Sequence, residues 1–101
     1  MIKMTALYKK PADIEKFEEH YWNVHVPLNN KMPGLVRVNF TKFTGAPMGE
    51  PKFYLQCDMF FNSMDDLNAA MKSSEGRAAG KDLMSFAADL VTMMIGEEVN
   101  Q

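Results

Sequence analysis

An α+β fold, with two helices packed on one face of a four-stranded antiparallel sheet, is the architecture this 101-residue sequence predicts. Three observations carry that expectation. Apolar residues recur at spacings of three and four from Ile14 to Leu28, the period of a helix with one buried face. Two runs rich in β-branched and aromatic residues, 35–44 and 53–61, read as strands. With an extended start, a second helical region and an apolar C-terminal run, the order becomes strand, helix, strand, strand, helix, strand. That is the ferredoxin-like βαββαβ arrangement, and a chain of this length fills it as one domain, residues 1–101.

The first strand, 2–8, alternates imperfectly and is closed by Lys9, Lys10 and Pro11. Asp13 then suits an N-cap, with Glu15 in the first turn where the helix dipole favours an acid. Ile14, Phe17, Tyr21, Val24 and Leu28 form the apolar stripe. Pro27 has no N–H and pushes Val26 away from the α region, so the regular helix is expected to end near residue 26, with any turn beyond it irregular. Pro33-Gly34 turns the chain into the second strand. After a loop over 45–51, the strand 53–61 places Phe53, Leu55, Cys57, Met59 and Phe61 on a wholly apolar face. Its other face is mixed, with Tyr54, Gln56, Asp58 and Phe60. Ser63 suits the cap of a helix whose stripe is Met64, Leu67, Ala70 and Met71. Ser74 suits the cap of a further piece running to about Phe86, and 90–95 is the last strand.

Helices on one side leave the other side of the sheet uncovered, with Phe60 and Tyr54 expected to be exposed there. A contiguous aromatic patch marks an interface, which predicts a homodimer of two sheets face to face, a barrel with its helices outside. Net charge is -2, from 11 basic and 13 acidic residues, which offers no electrostatic case for nucleic acid or an anionic membrane. No run approaches the roughly 20 apolar residues of a membrane span, and no signal-peptide pattern opens the chain. The lone Cys57 suits a reducing, cytoplasmic setting. Ten methionines read as adaptable core and dimer packing.

His25 is the sharpest candidate for chemistry. It stands at the C-terminal end of the first helix, and an imidazole both accepts and donates protons near neutral pH. A structural histidine bonded to the turn before Pro27 is the plainer reading of the residues alone. His20, five residues earlier, falls roughly 140° away on an ideal helix, which separates the pair and reads His20 as part of a solvated face with Glu18 and Glu19. No spacing suggests a metal site, and neither a nucleotide-binding loop nor a nucleophile elbow is present, so no cofactor is expected. Tyr21, Trp22 and Tyr54 are packing residues that could also shape an apolar pocket. Asp58 reads as an interface ion-pair partner, with Arg37 as the candidate, rather than as a pocket acid, and Asp82 as a local hydrogen-bonding residue.

Two stretches carry a family resemblance. Phe17-x-x-x-Tyr21-Trp22-x-x-His25-Val26-Pro27-Leu28, followed by Met32-Pro33-Gly34-Leu35, resembles the first signature of the EthD family. Ser73-Ser74-Glu75-Gly76-Arg77 through Asp82-Leu83 and Phe86-Ala87 is similar to its second. The resemblance implies a dimeric α/β barrel of ferredoxin-like subunits. It sets the chain in a superfamily of cofactor-independent monooxygenases, isomerases and decarboxylases, and it makes the histidine before Val26-Pro27-Leu28 the acid–base candidate. The chain departs from the family in the loop 45–51 and in its methionine-rich last third.

The expected function is therefore a small cofactor-independent enzyme, oxidoreductase- or isomerase-like, acting on a hydrophobic or aromatic small molecule. His25 would move a proton, with Tyr21, Trp22 and Tyr54 shaping the site. The alternative is a non-catalytic protein that binds such a molecule or assists a partner oxygenase. A buried His25 beside a second proton-relay group points to catalysis, and a solvent-facing His25 over a dry pocket points to binding.

Overall fold

The computed structural model describes residues 1–100. Four strands, β1 (Ile2–Tyr8), β2 (Arg37–Lys42), β3 (Leu55–Phe61) and β4 (Val91–Glu97), form one antiparallel sheet in the order β2-β3-β1-β4. The helices are α1 (Ile14–His20), α2 (Val26–Asn29), α3 (Met64–Lys72) and α4 (Ser74–Ala87). This is the predicted ferredoxin-like α+β fold. No helix among the described residues is long and apolar enough to cross a membrane.

Alternation decides which side chains meet the helices. Met4, Ala6 and Tyr8 of β1 lie opposite Met59, Cys57 and Leu55 of β3, and all six are buried in the core. Phe17 and Tyr21 enter it from the first helix, Leu67 and Ala70 from α3, and Ala79, Leu83 and Ala87 from α4. Tyr8, Phe17 and Tyr21 meet ring to ring at centroid distances of 5.3–5.6 Å. The caps follow their residue types. Asp13 accepts from the Lys16 N–H at 3.1 Å and Ser63 from the Asp66 N–H at 3.1 Å. The cap of α4 is Ser73 rather than Ser74: its Oγ accepts from the Gly76 N–H at 3.0 Å while its own hydroxyl donates to the Ala70 carbonyl. One hydroxyl thus closes α3 and opens α4.

The chain does not leave its first helix at Pro27. Residues 21–25 form a π-helical turn, in which the Val26 N–H bonds the Tyr21 carbonyl five residues back, and α2 then continues to Asn29. Pro27 sits in the opening turn of α2, where a missing N–H goes unneeded. A widened turn just before a proline also relieves the clash that its ring would make in a regular helix. The expected stop near residue 26 is thus replaced by a change of helical pitch.

The uncovered face of the sheet also differs from expectation. Phe60 is only 3% exposed, because the Arg37 guanidinium lies 3.9 Å above its ring and the Lys3 ammonium 5.9 Å away. Asp58 accepts from Thr5 Oγ1 at 2.6 Å and from Gln56 Nε2 at 2.9 Å, with Lys3 Nζ at 3.6 Å. Arg37 pairs with Glu98 at 3.5 Å instead of with Asp58. Tyr54 precedes β3 in a bend, and its hydroxyl donates to Glu18 on α1, across on the helix side. The predicted aromatic patch is therefore a polar network with one covered ring.

Candidate active site

The π turn has a consequence for chemistry. In an α-helix, residues five apart point in different directions; in an i→i+5 turn they stack on one side. His20 and His25 accordingly converge on one carboxylate. His25 Nδ1 lies 3.0 Å from Asp82 Oδ2, and His20 Nε2 lies 2.9 Å from Oδ1 and 3.1 Å from Oδ2. Asp82 is presented by α4, and Phe86, one turn further, packs against both imidazoles at 4.4 and 5.2 Å. Exposure rises along the row, from 3% at the His25 side chain through 14% at Asp82 to 33% at His20. Two expectations are corrected here. His20 is no mere member of a solvated face, and Asp82 bonds across the fold rather than locally.

A carboxylate oxygen only accepts, so His25 carries its proton on Nδ1 and presents Nε2 as a base. Burial holds the imidazole below its ordinary value of 6.5. The Asp82 hydrogen bond and charge oppose that shift, and His20 adds to it. His25 is therefore neutral at pH 7. The unfolded chain protonates this ring at pH 6.5, whereas the folded chain resists until lower pH. The resulting stabilisation is full above pH 6.5 and is lost as pH falls through the folded value. Urea denaturation is expected to show this decline in the native chain, with a flatter profile in His25→Gln over the same range.

One turn beyond His25 stands Asn29, 4% exposed, with no side-chain hydrogen bond among the described residues. Both residues line a cavity of about 60 Å³ between helices and sheet, otherwise walled by apolar side chains such as Met4, Met32 and Met59, with Tyr8 alongside. His25 Nε2 likewise has no partner among the described residues. The cavity thus holds a neutral base and an unpaired amide in an apolar setting.

Of the other residues singled out from the sequence, none lines this cavity. Tyr21 is fully buried behind it, between Tyr8 and Cys57, and burial pushes its phenol well above the ordinary range. Its hydroxyl faces the Tyr8 hydroxyl and the Cys57 thiol without the geometry of a full hydrogen bond to either. A buried hydroxyl without a partner costs about 1–3 kcal/mol, so Tyr21→Phe is expected to stabilise the fold by about 1 kcal/mol in denaturant titrations. A loss instead would mean that the hydroxyl is bonded in solution. Trp22 and Tyr54 belong to a separate cluster, where Trp22 Nε1, Lys42 Nζ and the Tyr54 hydroxyl all donate to Glu18. These bonds, that of Lys42 foremost, hold the Glu18 carboxyl below its usual value. Among the described residues, no three His, Cys, Asp or Glu side chains converge as a metal site.

Comparison with known proteins agrees with this fold. Residues 9–89 match the EthD domain family. An ethyl tert-butyl ether D (EthD) family protein from Bacillus halodurans is 50% identical, covers 98% of this chain and 99% of its own, and superposes with a TM-score of 0.95. An uncharacterized 11.0 kDa protein of the thcB-thcC intergenic region of Rhodococcus erythropolis is 34% identical over 98 residues, 97% of this chain and 95% of its own. A dimeric ferredoxin-like protein of unknown function from Thermobifida fusca, 17% identical, superposes with a TM-score of 0.70 over 96% of this chain and 90% of its own, a likeness of fold alone.

Proposed function

The chain belongs to the EthD family, and from that premise we propose that it is a small acid–base enzyme acting on a hydrophobic small molecule without a cofactor. The observation that carries this reading is the bond from His25 Nδ1 to Asp82, which leaves Nε2 as the free base beside a cavity. A buried His25 next to a second titratable group is the arrangement that favours catalysis over simple binding. His25 takes a proton from an activated C–H or hydroxyl of the substrate, and Asp82 holds the ring in the productive tautomer. Asn29 is placed to hydrogen-bond the oxygen that gains charge as the proton leaves. Tyr21 supports the His25 ring from behind, at 5.8 Å between centroids. Trp22 and Tyr54 reach a substrate only if it extends beyond the cavity. The buried free thiol of Cys57, its pKa raised to about 11, accords with a cytoplasmic setting.

Deuterium uptake tests the reading without a known substrate. Apolar aromatic and aliphatic ketones and lactones are incubated with the protein in deuterium oxide, and exchange at the acidic C–H is followed by NMR. Catalysed exchange that weakens only as pH falls through the folded His25 value, which lies below 6.5, is the expected result. Rates equal to those with heat-unfolded protein across the panel would overturn it.

The same reading includes a homodimer through the open sheet face. The relative from Thermobifida fusca is described as dimeric, and this face carries the Asp58 network together with the half-exposed Met94. Light scattering is expected to give about twice the chain mass of 11.5 kDa. A stable monomer at micromolar concentration would contradict it.

A further inference from the structure

We propose that the His25 cavity is the inner end of a longer site, one that takes an elongated apolar molecule ending in an uncharged carbonyl or hydroxyl group. The head-group half rests on the acid–base reading of His25; the tail half rests on separate observations.

A cavity of about 60 Å³ is too small to hold a metabolite by itself, since small-molecule sites run to about 300–1,000 Å³. This cavity is not isolated. It shares Met4, Met71, Gly80, Leu83 and Met93 with a groove of about 500 Å³ between α4 and β4. Every side chain along the groove is apolar. Polar side chains occur only at the inner end, where His25, Asn29 and Tyr8 stand, each more than nine-tenths buried. A site so divided fits a molecule with one hydrogen-bonding end and one long apolar end.

Charge narrows the head group. No Lys, Arg, Asp or Glu lines the cavity, so a carboxylate there would be buried without a counter-charge, at a cost its binding would have to overcome. A neutral carbonyl or hydroxyl can use what is present: the Asn29 amide donates and accepts, and His25 Nε2 accepts. The tail meets methionines, whose unbranched side chains adapt to variable apolar shapes. Gly80 sits at the seam between cavity and groove. A Cβ built there has no atom within 4 Å, so the missing side chain leaves the passage open rather than relieving a clash.

The test is a series of methyl ketones, from methyl ethyl to methyl octyl ketone, with decanoate for comparison, titrated against the whole chain and read by NMR at the His25 ring and the Asn29 amide. Affinity is expected to rise about fourfold per added methylene until the groove is filled, and decanoate is expected to bind at least tenfold more weakly than the longest ketone. Gly80→Leu is expected to abolish the chain-length dependence while methyl ethyl ketone still shifts His25. Far-UV circular dichroism that matches the native chain shows that Gly80→Leu is folded. Affinity independent of chain length would overturn the groove and leave the acid–base site standing, whereas no response at His25 to any ketone would overturn both. Decanoate binding as tightly as the ketone would overturn the uncharged head. If Gly80→Leu altered the sedimentation mass and left ketone affinity unchanged, the groove would be a contact with a second copy, and the inference would be wrong.

Discussion

Replacing His25 with glutamine is expected to lower catalysed deuterium uptake about 10²–10⁴-fold, the contribution typical of one general base. Glutamine is the sounder choice than alanine because the ring is 97% buried by its 3% exposure, and an emptied site would confound the measurement with a packing loss. Asp82→Asn separates position from charge. The amide oxygen can still accept from Nδ1, but the carboxylate no longer favours the protonated ring. The His25 pKa is therefore expected to fall further below 6.5, and an NMR titration of its ring protons reads that directly. Unchanged exchange in His25→Gln, on a substrate the native chain turns over, would reduce this histidine to a structural role. A His25 pKa that rises in Asp82→Asn would mean that the two groups are not bonded in solution.

Gly76→Ala is expected to destabilise the protein by about 3 kcal/mol, the upper end of ordinary overpacking costs. A Cβ at Gly76 would stand 2.0 Å from the Ala70 carbonyl oxygen and 3.0–3.1 Å from backbone atoms of Ala70 and Met71. Those atoms are main chain, so no rotamer change relieves the contact, and α3 and α4 must separate around Ser73. For a domain of this size the shift in Tm is roughly 12–24 °C. Gly80→Ala, four residues along the same helix with nothing within 4 Å, provides the contrast: replacing a helical glycine there is expected to stabilise by about 0.5–1 kcal/mol. Thermal unfolding of the two variants side by side checks the pair. Equal effects would show that helix propensity, not close approach, governs Gly76.

Much of the frame was readable without coordinates. Asp13 and Ser63 cap their helices as their side chains suggest. Gly34 adopts φ +78°, the left-handed conformation that a Pro-Gly turn asks for. The alternation of Leu55, Cys57, Met59 and Phe61 marks the core face of β3 correctly. Tyr54 escaped the same logic because the strand begins one residue after it, and a bend frees its side chain to reach Glu18. Phe60 was correctly placed on the open face, yet it is covered by Arg37 and Lys3, whose long stems lie over its ring.

The site divides along the same line. His25 stood out because an imidazole beside a proline-bearing helix end is conspicuous in the chain itself. His20 and Asp82 did not, because they enter the site through pitch and packing. A regular helix turns 100° per residue, and on that rule five residues separate the histidines. A proline inside a continuing apolar stripe was the one local sign that the rule would fail. Asp82 joins from 57 and 62 residues away, a pairing no local period encodes. The sequence by itself determined the periodic elements, their caps and their order, since these follow from interactions between near neighbours. The tertiary structure alone decided that two histidines share one carboxylate, because that depends on a widened turn and on how α4 lies against it.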